Sequence, residues 1–302
     1  MLGRCNVAPV AALAVIAITG CSSSSSPAAH AKSPTPKPSA SPAIGSITIG
    51  GTAGDLRLIA AAKGPFQSAN PQATIQATVS PLGGELTAVV GGSVGAGLTD
   101  YPKIAAVGLA NGDKLVDHVV GINRMLIITD PNQTVGNLSI QQVGNLFAGK
   151  YVNWNQLGGA DRAITLVGPP AQSATRRALD KLAMAGSPQA PGIMAQPTPR
   201  GVVQLVSTTP GAVGFVLASD LELPDRVRRL QVSGVDPTAE NVERGTYPLW
   251  FRVHLYTLGP DTGAVAAFIH FLTSAKFQDS DPVQLAGFVP LDRVYGVSPS
   301  DQ

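Results

Sequence analysis

At 302 residues, with 44% hydrophobic and 13% charged side chains, the chain carries enough apolar material for a core of more than one small domain. Its 21 basic and 19 acidic residues leave a net charge of +2, so no basic field exists to attract nucleic acid. The two cysteines, Cys5 and Cys21, both stand near the N-terminus, which excludes a disulfide framework for the remainder.

The chain opens with Arg4, an apolar run over 7–18 and the small residues Thr19-Gly20 before Cys21. The run is too short to span a bilayer as a helix and reads as a signal peptide over 1–21. Its ending resembles the lipobox of bacterial lipoproteins, which makes Cys21 the lipidated residue; a plain secretory signal is the alternative. Residues 22–45 are dominated by Ser, Pro and Ala. Such a composition has little to bury against the entropy of ordering, so it predicts a solvated tether.

From Ile47 onward strand-like and helix-like segments alternate. A strand over 47–49 leads through Gly50-Gly51 to Asp55, a candidate cap for a helix carrying Leu56, Ile59 and Phe66 on one face. Ile75, Ala77 and Val79 alternate as in a strand, and Gly83-Gly84 opens a second helix. Strands are expected over 104–109 and 124–129. Ser139 and Gln142 form a capping box ahead of Val143, Leu146 and Phe147. A strand over 164–167 turns through Gly168-Pro169-Pro170 into a helix near Ser173. Residues 202–206 read as helix, 212–216 and 249–256 as strands, and Val265, Phe268, Ile269 and Leu272 as the inner face of a last helix. This order predicts an α/β fold, in which ligands sit at strand C-termini and helix N-termini.

Several segments resemble the phosphate-binding protein family, the solute receptors of ABC-type phosphate transporters. Gly201-Val202-Val203-Gln204-Leu205-Val206 followed by Pro210-Gly211-Ala212-Val213-Gly214-Phe215 is similar to that family's helix and Pro-Gly-Ala-Ile-Gly-Tyr strand. Phe147-Ala148-Gly149-Lys150 with Trp154 resembles its Phe-x-Gly-Lys-x-x-x-Trp turn. Gly287-Phe288-Val289-Pro290-Leu291 resembles its closing Gly-Tyr-Val-Pro-Leu, and Tyr247-Pro248-Leu249 the start of its returning strand. The resemblance implies a two-lobed periplasmic-binding-protein fold of type II, with two crossover strands joining lobe 1 (46–121 and 249–302) to lobe 2 (122–248). It implies a monomeric receptor that binds inorganic phosphate or a similar oxyanion and serves an ABC permease from the outer face of the membrane, held there by its lipid anchor. No cofactor, metal, nucleic acid or catalysis is implied.

Carried over by position, Asp100 in Thr99-Asp100-Tyr101-Pro102 stands where the family has its phosphate-discriminating aspartate. Ser173, Ala174 and Thr175 match its Ser-Gly-Thr at a helix start, and Gly83-Gly84 the other anion-facing turn. The family's first hydroxyl falls at Ala53 or Thr52. Its serine before the glycines falls at Pro81 or Leu82, and its arginine at Pro169, none of which can donate from a side chain. Arg176 and Arg200 are the candidates to restore that charge. The plainer readings are a turn residue for Asp100, an N-cap for Ser173, a tight turn for Gly83-Gly84 and solvated helix surface for the two arginines. Gly91-Gly92-Ser93-Val94-Gly95 also fits the G-x-S-x-G pattern of a serine hydrolase, with His254 or His270 as base, provided a strand precedes Ser93 and a helix follows it. The remaining reading is a receptor fold without anion binding, serving as an envelope sensor or scaffold. Arg226, Arg228 and Arg229 form a small basic cluster that reads as a solvated edge strand.

Overall fold

The computed structural model describes residues 42–80, 84–100, 108–221 and 226–294. Cys21, Gly83, Pro81, Leu82 and most of the expected strand over 104–109 lie outside the described residues. The strands are β1 (Ile44–Gly51), β2 (Gln72–Val79), β3 (Ala96–Thr99), β4 (Leu115–Thr129), β5 (Asn137–Leu138), β6 (Thr165–Gly168), β7 (Met194–Ala195), β8 (Ala212–Leu217), β9 (Arg228–Arg229), β10 (Gln231–Val232) and β11 (Trp250–Leu258). The helices are α1 (Leu56–Ala69), α2 (Glu85–Val90), α3 (Ile140–Phe147), α4 (Ala174–Leu179), α5 (Pro199–Thr208), α6 (Ala239–Glu243), α7 (Gly263–Leu272), α8 (Ala275–Gln278) and α9 (Asp281–Leu285).

One long sheet runs in the order β2-β1-β3-β11-β4-β8-β6-β7, with β9 added beside β4. Strands β1, β2 and β3 are parallel at one end, and β6, β7 and β8 are parallel at the other. Between them β4 and β11 run antiparallel. The 15-residue β4 carries the connection: up to Arg124 it pairs with β11, and from Met125 to Thr129 with β8. Its N-terminal half escaped the sequence reading because Asp117 and His118 interrupt the apolar run. Those side chains are satisfied laterally, Asp117 by Nδ1 of His254 at 2.8 Å and the Tyr256 hydroxyl at 3.0 Å, and His118 by Asp261 at 2.9 Å.

Each end of the sheet has its own helical cover. The inner face of α1 buries Leu58, Ile59, Ala62 and Phe66, and the Phe66 ring meets Phe268 of α7 edge-on at 4.9 Å. At the other end Phe147 of α3 packs edge-on against Phe215 of β8 at 5.0 Å. The capping box forms as read: the Ser139 hydroxyl accepts from Gln142 N–H while the Gln142 side chain accepts from Ser139 N–H. Two expectations shift. The tether was drawn to residue 45, but Ile44 and Gly45 already belong to β1 and pair with Gln72 and Ala73. Asp55 precedes α1 but makes no side-chain cap; its carboxylate accepts the Thr52 hydroxyl at 2.7 Å instead.

Two separated motifs prove to be one structural unit. The buried Trp154 indole donates to the Gly211 carbonyl at 2.9 Å, and the Gly211 N–H donates to Asp130 at 3.0 Å. Gly211 has φ of +81°, and a Cβ there would stand 2.4 Å from the Ala163 carbonyl oxygen. Both the backbone conformation and the space require glycine. Gly211→Ala is therefore expected to destabilise the chain by about 2 kcal/mol or more, read as a lower urea midpoint at unchanged m-value.

Candidate functional site

The parallel strands place their C-terminal ends on a common edge within each half of the sheet. In the first half β1 ends at Gly51 and passes through Thr52 and Ala53 into α1, while β3 ends at Thr99 and delivers Asp100. In the second half β6 leads to Ser173 and α4, β7 to Thr198 and α5, and β8 to Ser219 and Asp220. A cavity of about 350 Å³ opens between these edges. Ala53, Gly54 and Arg57 line one side, and Thr198, Pro199, Arg200, Ser219 and Asp220 the other. The two walls touch: a Cβ on Gly54 would lie 2.2 Å from an Asp220 carboxylate oxygen.

The flanking helix starts differ from those expected. Helices α1 and α5 present their N-terminal ends to the cavity, whereas Ser173, Ala174, Thr175 and Arg176 are not among its described lining. Ser173 is buried and caps α4, its hydroxyl accepting from Arg176 N–H at 3.1 Å. Thr198 does the same for α5, accepting from Gly201 N–H at 3.1 Å, with Pro199 at the first helical position. Gly84 immediately precedes α2, a helix of only six residues.

The two candidate arginines divide. Arg200 is exposed and faces the cavity. Arg176 is buried; its guanidinium donates to the Gln189 side chain and, at 2.9 Å, to the carbonyl of Pro169. A cation thus comes back to Pro169, the position where the resembling family carries arginine. The Thr52 hydroxyl is committed to Asp55, donating to its carboxylate while accepting its N–H at 3.2 Å.

Asp220 is the one acidic residue in the described lining, and further carboxyls are buried in the same half as Ala53. Asp55 and Asp100 are buried at 0% and 1% exposure, and Glu85 is buried nearby. While Asp55 and Asp100 are both ionised, both Asp100 oxygens and one of Asp55 face no donor among the described residues, and the contact between the two carboxyls becomes a hydrogen bond only when they share a proton. Burial raises the Asp100 carboxyl well above its ordinary range, and the neighbouring charge of Asp55 raises it further. Burial likewise lifts Asp55 to about 6, against the opposing hydrogen bonds from Asp100 and Thr52. Asp220 is lifted to about 7 by burial and by Asp55, offset in part by the Leu217 N–H and Arg57. A single proton between Asp55 and Asp100 turns two acceptors into a donor–acceptor pair, which is how two such carboxyls share a buried site.

Asp55, Asp220, Ser219 and Thr198 were missed as site residues. The first stands at a position that reads as a cap, and the others lack a motif. Their only signal is position, each just beyond a strand or before a helix at the ligand-bearing edge. Ser93 lies after α2 and before β3, the reverse of the strand–serine–helix order that a nucleophile elbow needs. Among the described residues no group of three or more His, Cys, Asp or Glu is placed to hold a metal ion. No described helix is long and apolar enough to cross a membrane.

The profile of the PBP superfamily domain matches residues 36–276. The phosphate-binding protein PstS of Bacillus subtilis (strain 168) is 36% identical over 249 residues, 82% of each chain. A phosphate ABC transporter type substrate-binding protein with bound phosphate, from Clostridium perfringens, superposes with a TM-score of 0.70 at 22% identity, covering 82% of this chain and all of that one (100%). An ABC-type phosphate transport receptor from Vibrio cholerae gives 0.65 at 21% identity, over 80% and 99% of the two chains. The chain belongs to the PBP superfamily and, within it, to the phosphate-binding proteins. The expected α/β binding-protein fold is borne out, with β4 and β11 as the strands that join its two ends.

The raised carboxyls have a consequence for stability. Between pH 3.8, their ordinary value, and about 6 to 7, the folded chain holds protons on Asp55 and Asp220 that the unfolded chain has lost. Stability is therefore greatest below that window and falls as pH rises through it. The melting temperature at pH 8 is expected to lie at least about 5 °C below that at pH 4.5, with Asp220→Asn flattening the slope in a thermal scan.

Proposed function

We propose that this chain is an extracytoplasmic solute receptor that takes phosphate or a related small oxyanion between two lobes and presents it to an ABC permease. The observation that carries the reading is a cavity that Arg57, Arg200 and two helix N-termini face, with the fully buried carboxyl of Asp100 at the end of β3 in the same half as Ala53 and Gly54. Amide ends and a guanidinium attract an oxyanion, and a carboxylate accepts the proton that hydrogen phosphate carries and sulfate lacks. The name of the Bacillus subtilis relative and the phosphate in the Clostridium perfringens structure support the same ligand.

In this reading the lobes are 46–121 with 249–302, and 122–248, and they close by bending where β4 passes from β11 to β8. Closure is a difference in affinity between two conformations, with no chemical step and so no catalytic residue. Asp100, Arg200, Ala53 and Gly84 contact the anion through side chain or backbone. Ser173, Ala174, Thr175 and Arg176 approach it as the lobes close, and Gly83 is a further candidate contact. Cys21 carries the lipid that holds a monomeric receptor at the outer face of the cell membrane, with 22–43 as tether. The buried carboxyls of Asp55, Asp100 and Glu85, close enough to Asp220 to act on one another, favour a second reading, a receptor fold that binds no anion and acts as envelope sensor or scaffold.

Calorimetry of the full chain with phosphate, sulfate and molybdate separates the two. Saturable heat with phosphate is expected, weakened about tenfold in Arg200→Gln, since a charge-assisted bond contributes roughly 1.5–3 kcal/mol. Asp100→Asn is expected to erase the preference for phosphate over sulfate. No heat and no thermal shift with any of the three anions leaves the scaffold.

A further inference from the structure

Behind the cleft, Arg57 also lines a second cavity, of about 450 Å³. The other guanidiniums there are Arg124 and Arg229, and the walls include Leu126, Leu221 and Leu285. No carboxylate is among its described lining residues. Arg57 is in part balanced by Asp220. Arg124 bonds to neutral carbonyls instead, with Nε donating to Pro237 at 2.9 Å and Nη1 to Gly287 at 3.1 Å. These two bonds hold the guanidinium rigidly at the point where β4 leaves β11. Burial and the neighbouring charge of Arg229 lower the Arg124 pKa to about 10, while the Tyr247 hydroxyl opposes them. Two like charges held together beside a concave, partly apolar space form an arrangement that an anion relieves.

We propose that this hinge cavity is a second anion site, distinct from the cleft, that takes the phosphate group of an inorganic or organic phosphate between Arg124 and Arg229. Arg124 is the preorganised fork, and Arg229, exposed on β9, closes over the oxyanion. The volume falls in the range of small-molecule sites and exceeds what one inorganic oxyanion needs. Leu285, 80% exposed, with Leu126 and Leu221, offers a surface for the carbon part of an ester. The site draws on both ends of the sheet, Arg57 and Gln284 from one and Leu221 and Arg229 from the other, so its ligand bridges them.

Calorimetry of the full chain with phenyl phosphate and with inorganic phosphate tests this. Arg229→Gln is the decisive variant, because Arg229 is exposed and Arg124→Gln also removes two structural bonds. Phenyl phosphate is expected to bind saturably, to keep its affinity in Arg200→Gln, and to lose about tenfold in Arg229→Gln. Tighter binding of phenyl phosphate than of inorganic phosphate at this site identifies an ester as the ligand class; equal affinity identifies the free anion. Absence of phenyl phosphate binding, or an affinity indifferent to Arg229→Gln, overturns the proposal. The cleft reading fails separately: anion heat that survives Arg200→Gln and Asp100→Asn but is lost in Arg229→Gln leaves only the hinge site.

Discussion

Where β4 passes from β11 to β8, a cluster of side-chain bonds fixes the backbone on which both ends of the sheet depend. The Tyr247 hydroxyl donates to the Met125 carbonyl at 2.7 Å, and Met125 N–H to the Leu249 carbonyl at 2.8 Å. Asn123 donates to the Ser219 hydroxyl at 2.8 Å from a fully buried position, and Arg124 reaches Pro237 and Gly287. These partners come from the chain before β11, from the end of β8 and from the segment after α9. A buried polar group that loses its partner forfeits its full desolvation cost, so each bond ties a remote segment to the same point. Asn123 bonds Ser219, the neighbour of Asp220, so the joint also sets where the second wall of the cleft stands.

The cleft depends on a different balance. Buried carboxylates are ordinarily paired with cations, yet Asp55 and Asp100 face one another, with Glu85 and Asp220 close enough to act on them. Protonation is the available relief, and the raised pKa values express it. The site thus carries a variable number of protons rather than a fixed negative charge. That property reconciles these buried carboxyls with relatives named for binding phosphate: a protonated carboxyl is a donor, and an ionised one accepts from a protonated oxyanion.

What the sequence made legible was local or repeated along the chain. The Ser139–Gln142 box, the cap at Ser173 and the apolar faces of α1 and α7 involve residues within a turn or two of one another, so spacing alone reveals them. Trp154 and Gly211 were visible through a resemblance, but their mutual bond spans 57 residues and no spacing rule encodes it. The site was legible only in part for the same reason. Arg200 could be named as a residue that faces the cavity, while Asp220 reaches it only because β8 lies parallel to β6 in the second half and its end abuts Gly54. Arg176 could be named from its helix position, but that its guanidinium bonds Gln189 and Pro169 is a rotamer choice that backbone periodicity does not determine. The N-terminal half of β4 was hidden because His–Asp pairs across strands look, in one dimension, like exposed polar residues.

Arg57 connects these themes. It is the second residue of α1, lines both cavities and lowers the pKa of Asp220 through its charge. Toward the cleft it meets the carboxyl of Asp220, and toward the hinge the guanidiniums of Arg124 and Arg229. Its positive charge stabilises the ionised form of the first and opposes the charge of the others. Protonation of Asp220 or arrival of an anion at either side changes the field that Arg57 feels, and with it the field on the other side. If anions occupy both cavities as proposed, Arg57 is the side chain through which each would act on the other, since neutralising Asp220 removes the charge that offsets Arg57.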